Sequence, residues 1–335
     1  MLHPYQQSRQ VDRPVEDPVV VEQLKSGRRQ IIRLWQATME GRESTAQELE
    51  VAFSRWLEKE ALRETLLSLT PDIHSLCDLA VNRGSAPPSI CKAILYFTGA
   101  LINSEQASAA LAVLTKLSVL SVPYEEIAAG SLFNTAIAYG RLSAKRGCEQ
   151  LLHLFDMRAE ARAHLSDALL LGCNHILSRL RAQSSKAENF TSILLSGELA
   201  EQAYQLISAR SDEAPREESR AAVVSLRTEI AAVAELMAHS GLPRPNIPST
   251  EEILTDASLE AAEGKNPLLF VGALMNLASY YKATADYENA RDTSAVAMIV
   301  CHSLPVENPS LVGSIMTFIN SLPEIEDLSG EDETS

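Results

Sequence analysis

The chain has 335 residues and a formal net charge of −15, with 46% hydrophobic and only 5% aromatic residues. Its apolar content excludes a chain disordered throughout. Its acidity opposes passive attraction of the average surface to nucleic-acid phosphates or anionic lipid, because neither contact would gain counterion release or Coulomb energy. The apolar positions lean on Leu and Ala, strong helix formers, and alternating Val-, Thr- and aromatic-rich runs are almost missing. The fold class expected is all-α.

In chain order, residues 1–17 are polar and proline-bearing and read as a flexible arm, with no apolar core of a secretory leader. A helical region is expected over 18–240, beginning with a helix from Val19 to Met39 whose buried stripe is Leu24, Ile31, Leu34 and Trp35. Ser44-Thr45-Ala46-Gln47 has the spacing of a capping box and opens a helix carrying Leu49, Phe53, Trp56 and Leu57. Thr70-Pro71-Asp72 opens the next, with Gly84 as its C-cap. Pro88 starts a helix through Ile90, Ile94, Phe97 and Leu101, broken at Asn103-Ser104, and Leu111, Leu114 and Leu117 form the following face. Pro123 opens a helix carrying Ile127, Leu132, Phe133 and Ile137, and Gly147 is expected to break it before Leu151.

Further helices are expected over 162–182, 187–209, 216–239, 249–263, 268–284, 287–303 and 308–322. The charged run SDEAPREESR, 211–220, reads as a break. GLPRPNIPST, 241–250, holds three prolines and a glycine that no helix crosses, and it marks a subdomain boundary near residue 245. A C-terminal helical region over 249–322 restarts at Ser249, and the acidic residues 323–335 read as a disordered tail. Short helices with brief connections are the sequence form of antiparallel hairpins, stacked here as an α-solenoid.

One stretch carries a family signature. In LMNLASYYKATADYENARDTSAVAM, 274–298, Ala290 sits at a small position of a second helix, Leu277 and Tyr281 fall at the Leu and Tyr positions of a first, and Ala297 at the later small position. Residues 271–304 thereby resemble a tetratricopeptide repeat, a helix–turn–helix unit of about 34 residues. The resemblance implies a superhelix whose first helices line a concave face. Leu274 stands where that family commonly has Trp, and Ser294 replaces an aromatic. Residues 132–158 look like a pentatricopeptide unit, from Phe133-Asn134-Thr135 to Leu154-Phe155-Asp156-Met157. That resemblance implies single-stranded RNA as an alternative ligand.

The tetratricopeptide resemblance also implies a partner surface. Asn276 falls at a position where the family uses Asn to hold a peptide's terminal carboxylate, and Met275 stands where it uses Lys. Asn276, Ser279 and Lys282 are therefore the candidate partner-binding side chains. The five cysteines are scattered and lie in apolar helical segments, which fits reduced, buried thiols of a cytoplasmic protein. His74 and Cys77 have the spacing of half a zinc site with no matching half, and a buried thiol beside an ordinary histidine is the simpler account. The basic runs Lys25, Arg28, Arg29, Arg33 and Arg141, Lys145, Arg146 read as solvated helix faces.

No nucleophile elbow, glycine-rich phosphate loop or H-E-x-x-H occurs. No apolar run approaches the roughly 18–20 residues of a membrane span. The expectation is a non-enzymatic scaffold, adaptor or chaperone that binds a protein or peptide, without a cofactor, metal or membrane span. Single-stranded RNA is the alternative ligand, and the oligomeric state is left open.

Overall fold

The structure is a computed structural model of the chain. It describes residues 70–157, 165–184, 190–210, 217–305 and 308–323, together with Arg29, Ile32, Arg33, Trp35, Gln36, Ala37 and Glu48. Every regular element among the described residues is a helix: α1 Thr70–Arg83, α2 Pro88–Asn103, α3 Ala107–Leu120, α4 Glu125–Leu142, α5 Ala144–Phe155, α6 Ser166–Ser184, α7 Phe190–Ser208, α8 Glu217–His239, α9 Thr250–Ala262, α10 Pro267–Ala283, α11 Tyr287–His302 and α12 Pro309–Asn320. The chain divides into two compact units between Ser131 and Leu132, within α4, so both sides of residue 245 belong to the second. Of the expected first stripe, Trp35 is fully buried. Leu24, Ile31 and Leu34, the capping box at Ser44, the arm over 1–17 and the tail beyond Pro323 lie outside the described residues.

Local chemistry sets the helix ends. Pro88, Pro267 and Pro309 occupy first-turn positions, where a missing N–H costs nothing. Ser249 and Glu252 form a full capping box at α9, and the Ser249 N–H holds the Glu252 carboxyl below the usual range. Asn266, Asp286 and Asn308 accept first-turn N–H groups of α10, α11 and α12. Gly84, φ +74°, follows α1 in the left-handed region that an L side chain enters only at a cost. Ala285 does the same between α10 and α11 at φ +63° without being glycine, and the Asp286 N–H closes that turn onto the Tyr281 carbonyl at 2.8 Å.

In the first unit α3 packs on α1 and α2. Ile73 and Cys77, Ile90, Ile94 and Phe97, and Val113, Leu114 and Leu117 are buried, each large side chain contributing about 1.5–3 kcal/mol. In the second unit α5, α6, α7, α8 and α10 meet more than their neighbours in sequence. Helix α5 packs on α6 and α7, α6 on α7 and α8, and α8 on α9 and α10, with α10 then meeting α11 and α11 meeting α12. One core runs from Ala136, Cys148 and Leu151 through Leu177, Leu199 and Leu226 to Ile253 and Leu277.

Gly147 does not break a helix. It lies inside α5, and the break comes at Ser143. A methyl group on Gly147 would sit 2.7 Å from the Gly140 Cα and 2.7 Å from the Ile176 Cδ1, so the missing side chain is what lets α4, α5 and α6 nest. A methyl on Gly172 of α6 would likewise meet the Phe133 ring at 2.7 Å. Leu132, Phe133 and Ile137, expected as a buried face, are half-buried, while Ala136, Ala138 and Gly140 are fully buried. Helix α8 begins at Glu217, inside the charged run and one residue from the expected start of the 216–239 helix. The acids of its first turn favour a helix N-terminus, and Arg220 turns inward to the Glu260 carbonyl at 2.7 Å and the Glu260 carboxylate at 3.0 Å.

Gly147→Ala should lower unfolding free energy in urea by about 1–3 kcal/mol through overpacking. Gly272→Ala, in α10 with nothing within 4 Å of the added carbon, should raise it by up to about 1 kcal/mol from helix propensity. Ala285→Gly should be stabilising by about 1 kcal/mol, since glycine removes the cost of the left-handed conformation.

Candidate partner-binding face

Helices α6, α8 and α10 lie side by side in the second unit and are tied together by side-chain hydrogen bonds. The Ser225 hydroxyl of α8 donates to the Asn174 Oδ1 of α6 at 3.2 Å. Arg181 of α6 donates through Nε and Nη2 to the Glu229 carboxylate of α8 at 3.0 and 3.1 Å, a fork that fixes relative position as well as charge. The Asn276 Nδ2 of α10 donates to the Thr228 Oγ1 of α8 at 3.4 Å. These partners recur on one side of each helix because residues three and four apart share a face.

Beside this ladder the helices present exposed side chains. Leu171 lies one turn before Asn174 and is 58% exposed. On α10, Leu268, Gly272 and Asn276 follow at four-residue spacing, with Ser279 beyond, all exposed. Acids are unevenly spread: α6 carries Asp167 and α8 carries Glu217, Glu218, Glu229 and Glu235. Helices α7 and α9 carry Glu198, Glu201, Glu251, Glu252, Asp256 and Glu260 and no Lys or Arg, whereas α10 and α12 carry no Asp or Glu. Arg227 of α8 turns to Asp256 at 2.8 Å and Arg220 to Glu260 at 3.0 Å, so the cations of α8 are committed to α9.

The sequence-predicted residues part company here. Asn276 is exposed on the ladder, and the exposed Ser279 hydroxyl donates to the Met275 carbonyl of its own helix at 2.7 Å. Lys282 is half-buried: its Nζ donates to the Ser321 hydroxyl at 2.6 Å and lies 5.4 Å from the Phe318 ring centroid. It therefore ties α10 to the end of α12 and is not grouped with Asn276. Arg141, Lys145 and Arg146 also separate. Arg146 stacks 5.9 Å over the Tyr139 ring, and Arg141, exposed, accepts through its carbonyl from the Arg179 Nη2 at 3.3 Å. His175, one turn before Arg179, has a buried Nε2 with no hydrogen-bond partner. Spacing alone puts Leu171, His175 and Arg179 on one face of α6; the approach of Arg141 is a tertiary fact that no local pattern announces.

Burial pushes the Cys77 and Cys148 thiols up to about 12 and Cys91 to about 11, so each is a poor nucleophile near neutrality. The Cys148 thiol donates to the Leu195 carbonyl at 3.3 Å. His74 faces the Lys116 Nζ at 2.6 Å and Asp78 at 3.5 Å, while Cys77 is buried. Burial, then hydrogen bonding to Glu251 at 3.0 Å, pushes Tyr281 up to about 12. Among the described residues no group of three or more His, Cys, Asp or Glu is placed to hold a metal ion, and no helix is long and apolar enough to cross a membrane. No protein-family model and no curated protein matches the chain.

Burial first, then the Arg141 and Arg179 charges, holds His175 below its ordinary value, which is about 6.5. The unfolded chain then takes up this proton more readily than the folded one. The contribution of neutral His175 to stability is therefore present above about pH 6.5 and lost as pH falls below it. His175→Gln should flatten that part of the stability–pH curve in chemical denaturation between about pH 7 and about pH 5.

Proposed function

We propose that this protein is a non-enzymatic binding scaffold whose hairpins stack in tetratricopeptide-like fashion and hold a polypeptide partner across α6, α8 and α10. One observation carries the reading: the hydrogen-bonding row of Leu171, Asn174, Ser225, Leu268, Gly272, Asn276 and Ser279, whose Arg181–Glu229 pair is neutral as a whole. The contacts of α6 and α8 with both following helices support the stacking. A row of amide and hydroxyl side chains suits the N–H and C=O groups of an extended chain, and depletion of charge is the mark of an interface centre. Covering the two leucines would supply about 1.5–3 kcal/mol each, with neutral hydrogen bonds adding about 0.5–1.5 kcal/mol each.

Gly272 offers a clean test, because it is exposed and a Cβ added there has nothing within 4 Å. Gly272→Arg should abolish capture of the partner by tagged full-length protein while leaving its melting temperature unchanged or slightly raised. Leu259→Arg, at a 60% exposed position on α9, should leave capture intact. Retention by Gly272→Arg, or loss by Leu259→Arg, would contradict the assignment of the face.

A further inference from the structure

Every described helix carries an ionisable side chain except one. Helix α12, PSLVGSIMTFIN, has no Asp, Glu, Lys, Arg or His, in a chain of net charge −15. Its inner half lays Ile315, with Leu311, Val312 and Ile319, on the cluster of Val271, Leu274, Ala297 and Cys301 from α10 and α11. The opposite half presents Ser310, Gly313, Ser314, Met316, Thr317 and Asn320, all exposed. Met316 is 47% exposed, and a carbon added to Gly313 would have nothing within 4 Å. This face is easier to dry than its composition suggests. The Ser314 and Thr317 hydroxyls already donate to the Ser310 and Gly313 carbonyls of their own helix at 2.9 and 2.7 Å, so covering them strands no donor. On α11, against which α12 packs, Val296 and Ile299 add apolar surface at 44% and 66% exposure.

We propose that this half of α12 is the contact through which two copies of the chain associate about a twofold axis, helix against helix. Charge selects the occupant. A twofold contact sets one patch against itself, so a charged patch would repel its own image. Two bodies of this acidity can therefore come together only where their surfaces meet without charge. Among the described helices α12 alone meets that condition. The chain's own residues 324–335 are the nearest competing occupant, but six of those twelve are Asp or Glu, and α12 has no cation to pair with them. A helix of 12 residues is about 18 Å long. The contact thus lies at the small end of specific interfaces, below about 1,200 Å² in total, and the dimer is a reversible one. None of this rests on the proposed function, which uses α6, α8 and α10.

The test is sedimentation equilibrium of the full chain, without any partner, over about 1–200 μM. The mass should rise with concentration from one chain toward two and no further. Raising salt from about 50 to about 500 mM should strengthen association, because screening removes repulsion between the acidic bodies while the contact has no ion pair to lose. Met316→Glu and Gly313→Arg, both at exposed positions, should each weaken association at least about tenfold without lowering the melting temperature of the dilute chain. Leu194→Glu, on α7 with the same 47% exposure as Met316, should associate like wild type. A wild-type chain that stays monomeric, association that salt weakens, a dimer that survives both α12 changes, or equal loss in Leu194→Glu overturns the proposal. So does a chain that dimerises only once residues 324–335 are removed, which gives the face to that segment. Gly272→Arg should leave the dimer intact, so this contact and the scaffold face stand or fall separately.

Discussion

Close approach of helix backbones at glycine is the constraint on which the second unit depends. Gly147 against Gly140 and Ile176, Gly172 against Phe133, and Gly197 against the Met237 sulfur are three places where a Cβ has no room. Each removes a side chain at a crossing and lets a large neighbour fill the space, which keeps the interior dense. Such nesting allows α6 and α8 to touch both following helices. The core from Cys148 to Leu277 is continuous for that reason.

A helix packed on two sides still has a third. On α6, α8 and α10 that side is fastened by Ser225 to Asn174, Arg181 to Glu229 and Asn276 to Thr228. These bonds hold the exposed face in fixed register, so little ordering entropy remains to be lost when something docks there. The acids of α9 are partly neutralised by Arg220 and Arg227. One face is thus committed to the protein's own interior, and another is left polar, with its Arg181–Glu229 charges paired.

Helix limits were the most legible feature because caps are local. Pro88, Pro267, Pro309 and the Ser249–Glu252 box announce themselves within four residues. Gly147 was misread because glycine's low helix propensity was weighed without its packing partner, and packing overrode it. The helix over 216–239 was legible, but Arg220 finds its acids on α9, some forty residues away in sequence, which no local pattern shows. Asn276 was found from a family-like spacing, but the engagement of Lys282 with Phe318 and Ser321 depends on how α12 returns to α10. Likewise, the Leu171–His175–Arg179 line is periodic and readable, whereas its junction with Arg141 exists only in the folded chain.

The central claim is that the row formed by α6, α8 and α10 is the surface this molecule offers. Hydroxyl-radical footprinting of the full chain, alone and with its captured partner, reads that surface directly. Protection should gather at Leu171, Leu268 and their neighbours, with Leu194 and Leu259 on α7 and α9 as reactive as before. Protection of α7 and α9 with the row left reactive would contradict the account.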